Sequence, residues 1–165
     1  MASHTSVTPD TLLDLRQALV SLQSAMVEST SNGDRAPLRV LVADSSVDVA
    51  DLLSLLFLSN GHECHIAYTG SAALGLTAAF APDLVLLDMN LPDITGYDVA
   101  RELRRRSGSN VPYLAAVTGS GQAINRARAI AAGFDHHVVK PMKQAALDEI
   151  VRAVELRIAA RVRVG

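Results

Sequence analysis

The chain has very little cysteine. Cys64 is the only one in 165 residues, which excludes an internal disulfide and a cysteine-rich zinc site. A lone thiol suits a reducing compartment, and a cytoplasmic location is expected. Charge of one sign is also missing: the formal net charge is −2, so bulk charge makes no case for nucleic-acid binding. No apolar run reaches the length of a membrane span, and the first residues lack a basic start followed by an apolar block. No membrane segment and no signal peptide are expected. There is no internal repeat. What the chain does hold is 49% hydrophobic residues, enough to bury a core, in a length that suggests one domain plus some extra.

The extra lies at the start. Residues 1–9 are polar and read as disordered. Thr8-Pro9-Asp10 is a helix-start signal, with Thr8 as N-cap and Pro9 at the first helical position. Leu12, Leu15, Leu19, Leu22 and Met26 then recur in steps of three and four, one apolar stripe on a helix over about residues 9–27. The stripe is too short for a free coiled coil. It fits packing on the chain's own domain first, then homodimerisation or partner docking, and last a mostly unfolded arm. Residues 28–37 are rich in Ser, Thr, Asn and Gly and read as a linker. The division expected is an extension over 1–37 and a domain over 38–162.

Within that domain the pattern alternates. Strands are predicted at 40–43, 64–68, 84–87, 113–117 and 137–139, and helices at 47–58, 70–80, 97–106, 122–132 and 143–161. The strands are short and almost wholly apolar, as strands buried on both faces should be, so a parallel sheet covered by helices on both sides is expected.

The chemistry collects at the ends of these strands. Leu84-Val85-Leu86-Leu87 runs into Asp88, strand one ends at Asp44, strand four at Thr118 and strand five at Lys140. In a parallel sheet all four fall on the carboxyl edge, where open α/β sheets place their sites. Carboxylates suit a hard cation such as Mg²⁺. Lys140 and Thr118 suit developing phosphoryl oxygens, and an Asp carboxylate can itself accept a phosphoryl group.

Four segments carry a resemblance: Arg39-Val-Leu-Val-Ala-Asp44, Asp83-Leu-Val-Leu-Leu-Asp88-Met-Asn-Leu-Pro-Asp-Ile-Thr-Gly-Tyr97, Ala116-Val-Thr-Gly119 and Gly133-Phe-Asp-His-His-Val-Val-Lys-Pro141. In this order and spacing, residues 38 to about 160 resemble a receiver domain of bacterial two-component response regulators. The stretch after Phe134 is similar to receivers of hybrid sensor kinases. The resemblance implies a flavodoxin-like, doubly wound sheet of five parallel strands in the order 2-1-3-4-5. It also implies that Asp88 takes a phosphoryl group from a phosphohistidine on a histidine kinase or histidine phosphotransfer protein. Mg²⁺ would be held by Asp44, Asp88 and the Asn90 backbone carbonyl. Lys140 would pair with Asp88 and then the phosphate, and Thr118 would bond the phosphoryl group as a switch. Asn90 and Ser120 fall at positions that tune self-dephosphorylation. Such a protein catalyses only its own phosphorylation and dephosphorylation. No output domain follows the last predicted helix, so signalling by contact with a downstream protein, and no direct DNA binding, is expected.

The sequence departs from the family at two places. Receivers carry two adjacent acids after strand one, and here the pair reads Asp44-Ser45, so divalent-metal affinity is expected to be weaker. Ser45 and Asp48 together form an S-x-x-D helix start with Ser45 as N-cap, and Ser45 could also reach the ion through its hydroxyl or a water. A metal role for Asp48 is the competing reading. His137 stands where the family often has Tyr or Phe, and it is either a switch residue or a static strand residue. Cys64 is expected to be buried, flanked by His62 and His65 without a metal site. The Arg101, Arg104, Arg105, Arg106 cluster reads as a solvated face that offsets a helix dipole. Asp83, Asp93 and Asp98 read as turn and cap residues. Two other functions compete: a phosphorylation-independent pseudo-receiver acting as an interaction or dimerisation module, and a haloacid-dehalogenase-type phosphatase. For the latter, Asp88-Met89-Asn90 lacks the second acid.

Overall fold

In the computed structural model the described residues are 36–106, 108, 110–119 and 126–164. The expected N-terminal helix, its dimer contact, the linker up to residue 35, Ser120 and the start of the fourth helix lie outside them. Five strands, β1 (Arg39–Ala43), β2 (Glu63–Ala67), β3 (Leu84–Asp88), β4 (Tyr113–Thr118) and β5 (His136–Val139), alternate with helices α1 (Val47–Ser59), α2 (Gly70–Phe80), α3 (Gly96–Arg106), α4 (Arg126–Ala132) and α5 (Gln144–Val164). All strand pairs are parallel and the order is β2-β1-β3-β4-β5, the flavodoxin-like arrangement expected.

The pleat sorts the apolar residues into two cores. Val40, Val42, Leu84, Leu86, Ala115 and Val117 face α1 and α5, against Phe57, Leu147, Ile150 and Val154. The alternate positions Leu41, Ala43, Val85, Leu87 and Leu114 face α2 and α3, against Ala73, Val99, Ala100 and Leu103. Successive side chains point to opposite faces, so a strand covered on both sides needs an unbroken apolar run. Burial of both sets is the main stabilising term, at about 25 cal/mol per Å² of apolar area removed from water.

Local signals set the helix starts. Ser46, not Ser45, caps α1: its backbone is extended, and its hydroxyl accepts the Val49 N–H at 3.4 Å. The expected cap is one residue early because Asp44 makes the turn itself, accepting the Ser46 N–H on Oδ1 at 2.9 Å. Asp48 sits in the first turn, exposed, where the helix dipole favours an acid. Thr69 caps α2 by accepting the Ala72 N–H at 3.1 Å. Thr95 and Asp98 bond reciprocally at the start of α3.

The opposite, amino edge of the sheet is tied by ions. Asp135 accepts the Leu114 N–H at 2.8 Å, Arg104 of α3 at 2.6 Å and Arg157 of α5 at 2.9 Å. Arg104 also donates to the carbonyls of Gly133 and Pro112. It is therefore a half-buried clamp rather than a solvated charge. Arg105 and Arg106 pair with Glu102, and Arg101 with Asp98, on the surface as expected. Cys64 is half-buried rather than buried. It packs against the α1/α5 core beside Ile66, while His65 on the other face stacks on Phe80.

Candidate phosphoryl site at the carboxyl edge

The parallel pairing brings the strand-end residues to one edge. Asp44 follows β1 and is 1% exposed, Asp88 ends β3 at 6%, and Thr118 ends β4 at 2%. Lys140 follows β5, joined to Pro141 by a cis peptide bond. Its ammonium reaches into the pocket, 2.5 Å from Asp44 Oδ2 and 3.7 Å from Asp88 Oδ1. The lysine thus sits closer to Asp44 than to the Asp88 partner expected from the sequence. Two buried carboxylates beside one ammonium leave a net negative pocket. Burial pushes the Asp88 carboxyl above its ordinary pKa; Lys140 opposes that shift and Asp44 adds to it.

The loop after Asp88 is held close. Asn90 donates its N–H to Asp88 Oδ1 at 3.4 Å, and the Asn90 side chain is exposed. Gly96 closes the loop against its own start: a Cβ there would lie 2.7 Å from the Asp88 carbonyl oxygen and 2.9 Å from Met89 Cα. Asp93 crosses to α2, accepting the N–H groups of Gly70 and Ser71 at 2.7 and 2.8 Å and the Ser71 hydroxyl at 2.7 Å. Those bonds satisfy orphan donors at a helix start and hold the Asp93 carboxyl far below its usual range. The sequence marks Asp93 as a turn or cap residue, but its partner 22 residues back in the chain has no local signal.

Thr118 and His137 are in direct contact, with Oγ1 and Nε2 2.8 Å apart. Burial, then Arg126 and His136, hold the His137 ring below its ordinary pKa. Ser45 is exposed, beside Asp44 but outside the buried pocket. No group of three or more His, Cys, Asp or Glu side chains suited to a metal occurs among the described residues. The residues present do fit Mg²⁺ of the water-rich kind, which takes one or two carboxylates. Asp44 Oδ2 is buried and meets no hydrogen-bond donor in bonding geometry, only the lysine charge against it, and such an oxygen is a ready cation ligand.

A five-stranded parallel α/β sheet in the order β2-β1-β3-β4-β5, with two buried acids, a threonine and a lysine gathered at its carboxyl edge, defines a flavodoxin-like protein. The family model described as response regulator receiver domain matches residues 40–152. The chain belongs to that family, the receiver domains of two-component response regulators. It is 36% identical over 115 residues to the DNA-binding response regulator MtrA of Mycolicibacterium smegmatis, covering 70% of this chain and 49% of that protein. It is 35% identical over 115 residues to the sensory transduction protein RegX3 of Mycobacterium bovis, covering 70% and 49%. The chain therefore spans about half the length of the curated relatives it matches. Among solved structures, a CheY-like response regulator receiver domain protein from Methanospirillum hungatei aligns with a TM-score of 0.67 at 24% identity, covering 76% of this chain and 99% of that one. A CheY-like receiver domain from Methylobacillus flagellatus aligns at 0.66 and 24%, covering 72% and 99%.

One expectation is corrected here. The expectation of no direct DNA binding rests on no output domain following the last predicted helix, yet relatives such as MtrA are DNA-binding response regulators of which this chain spans about half. A net charge averaged over a chain does not report on a local basic surface, and the position of a chain's last helix does not report on DNA binding. Among the described residues no helix is long and apolar enough to cross a membrane.

Proposed function

We propose that Asp88 accepts a phosphoryl group from a phosphohistidine and that the resulting acyl phosphate is the signal. The observation that carries this reading is the buried Asp88 carboxylate with the Lys140 ammonium 3.7 Å away and Asp44 beside both. An Asp88 oxygen attacks phosphorus. A P–O bond forms, the P–N bond of the donor breaks, and its electron pair leaves with the imidazole nitrogen. Lys140 supplies positive charge to the phosphoryl oxygens, and Thr118 supplies a neutral hydrogen-bond donor. Asp44, Asp88 and the Asn90 carbonyl would hold Mg²⁺, which when bound neutralises charge on the transferring group. Ser45 would reach it only through its hydroxyl or a water. The chemistry is confined to the protein's own phosphorylation and dephosphorylation, with Asn90 and Ser120 tuning the latter. Residues 38–162 are assigned as the receiver and 1–37 as an extension. Output runs through the face of α4, β5 and α5, where Ile130 and Val139 are exposed.

A second reading, a phosphorylation-independent interaction module, is favoured by the exposed Ser45 in place of an acid. Incubation with Mg²⁺ and acetyl phosphate separates the two. An acid-stable, base-labile adduct that disappears in Asp88→Asn supports the phosphoacceptor. No adduct at any Mg²⁺ concentration supports the module.

A further inference from the structure

The Thr118 hydroxyl has one proton and two polar neighbours: His137 Nε2 at 2.8 Å, which donates or accepts according to its tautomer, and, more distantly, the Val138 carbonyl at 3.5 Å, which accepts. The backbone around it is fixed, since Thr118 pairs with Val139 and its carbonyl accepts the Lys140 N–H at 2.7 Å. The variable is where the hydroxyl proton points. A neutral imidazole can take either side of the Thr118 bond, depending on which ring nitrogen carries the proton. An imidazolium can only donate. Once Nε2–H donates to Oγ1, the Thr118 proton must be aimed elsewhere, and a phosphoryl group on Asp88 offers nothing but acceptors.

We propose that His137 is a positioning residue: a proton on its Nε2 aims the Thr118 hydroxyl at the phosphoryl group, so that protonation of His137 and phosphorylation of Asp88 favour each other. The inference rests on the phosphoacceptor reading above. The charged neighbours of the ring among the described residues are Arg126 on α4 and His136 on β5. His136 itself lies 3.9 Å from Glu149 of α5, and the Lys140 ammonium is committed to Asp44 and Asp88. Burial first, then Arg126 and His136, favour the neutral ring, and a new anion opposes them. Linkage is reciprocal. Phosphorylation raises the His137 pKa, and the extra hold on the phosphoryl group is present below that raised value and fades as pH climbs through it.

Two measurements on the full chain test this. In the first, the His137 ring is titrated by NMR with and without Mg²⁺ and excess acetyl phosphate. The expected result is a rise of about one pKa unit on loading, a roughly tenfold coupling. In Thr118→Val, where the phosphoryl charge remains but the hydroxyl is gone, less than half of that rise should survive. In the second, the lifetime of the adduct is followed between about pH 5.5 and 7.5. It should lengthen at the acid end in the native protein, stay long and flat in His137→Gln, a donor at every pH, and stay short and flat in His137→Phe. An unmoved titration, an equal rise in Thr118→Val, or the native pH profile in His137→Phe overturns the coupling while leaving the phosphoacceptor reading intact. Absence of any adduct on Asp88 in the native protein overturns both.

Discussion

Lys140 Nζ is 2.5 Å from Asp44 Oδ2 and 3.7 Å from Asp88 Oδ1. The lysine thus leans on the acid that would hold a metal, leaving the acid that would carry phosphate the less compensated of the two. Both carboxylates are buried, so the ammonium is a structural counter-charge.

Replacing it should therefore cost stability. Lys140→Met leaves two buried carboxylates without their partner, and a loss of about 3 kcal/mol is expected. That is the low end for a broken buried pair, because the lysine keeps 21% of its side chain in solvent. Urea unfolding at neutral pH measures it, and an unchanged midpoint would show that the contact carries no net energy.

Asp88→Asn should act in the opposite direction at neutral pH. The folded-state pKa of Asp88 is raised, so the folded protein holds its proton more tightly than the unfolded chain does. The charged form is a cost above the raised value, and that cost vanishes below the unfolded value of about 3.9. The variant should have a higher urea midpoint than the native protein at pH 7, with the gap closing as pH falls through the raised value. A lower midpoint at pH 7 would contradict the shift.

Ser45→Asp should tighten Mg²⁺ binding about tenfold by adding a third carboxylate next to Asp44. The helix cap is spared, because Ser46 holds it. Calorimetric titration with Mg²⁺ reads the change; equal affinities would mean that the position does not face the ion.

Gly96→Ala should lose about 1–3 kcal/mol, since its methyl group would fall 2.7 Å from the Asp88 carbonyl oxygen and the loop would have to move. The same variant should slow adduct formation on Asp88. Native stability together with native labelling would show that the loop yields freely.

The sheet was readable in the chain because its strands are covered on both faces and leave unbroken apolar runs, as in Leu84-Val85-Leu86-Leu87. The edge site was readable for the same reason: polar residues that end buried strands must share an edge when the strands are parallel. Most of what escaped depended on contacts across the fold, and one point on a local choice between two serines. Nothing near Arg104 says that Asp135, 31 residues on, will draw it inward. Nothing near Lys140 says which of two acids it will approach. The shift of the α1 cap from Ser45 to Ser46 depends on Asp44 spending one oxygen on its own turn, which two adjacent serines do not reveal. Net charge averages over position and so carries no information about DNA in either direction.

Asp135 gives the molecule a polarity of its own. One carboxylate stitches β4, α3 and α5 together, and so joins the two apolar compartments that the sheet otherwise keeps apart. That rivet lies at the amino edge, the far pole from Asp44, Asp88, Thr118 and Lys140. The domain therefore has an anchored pole and a working pole. A rearrangement begun by a charge on Asp88, as proposed above, would have its room to move at the working end, while the anchored end keeps the two layers in register.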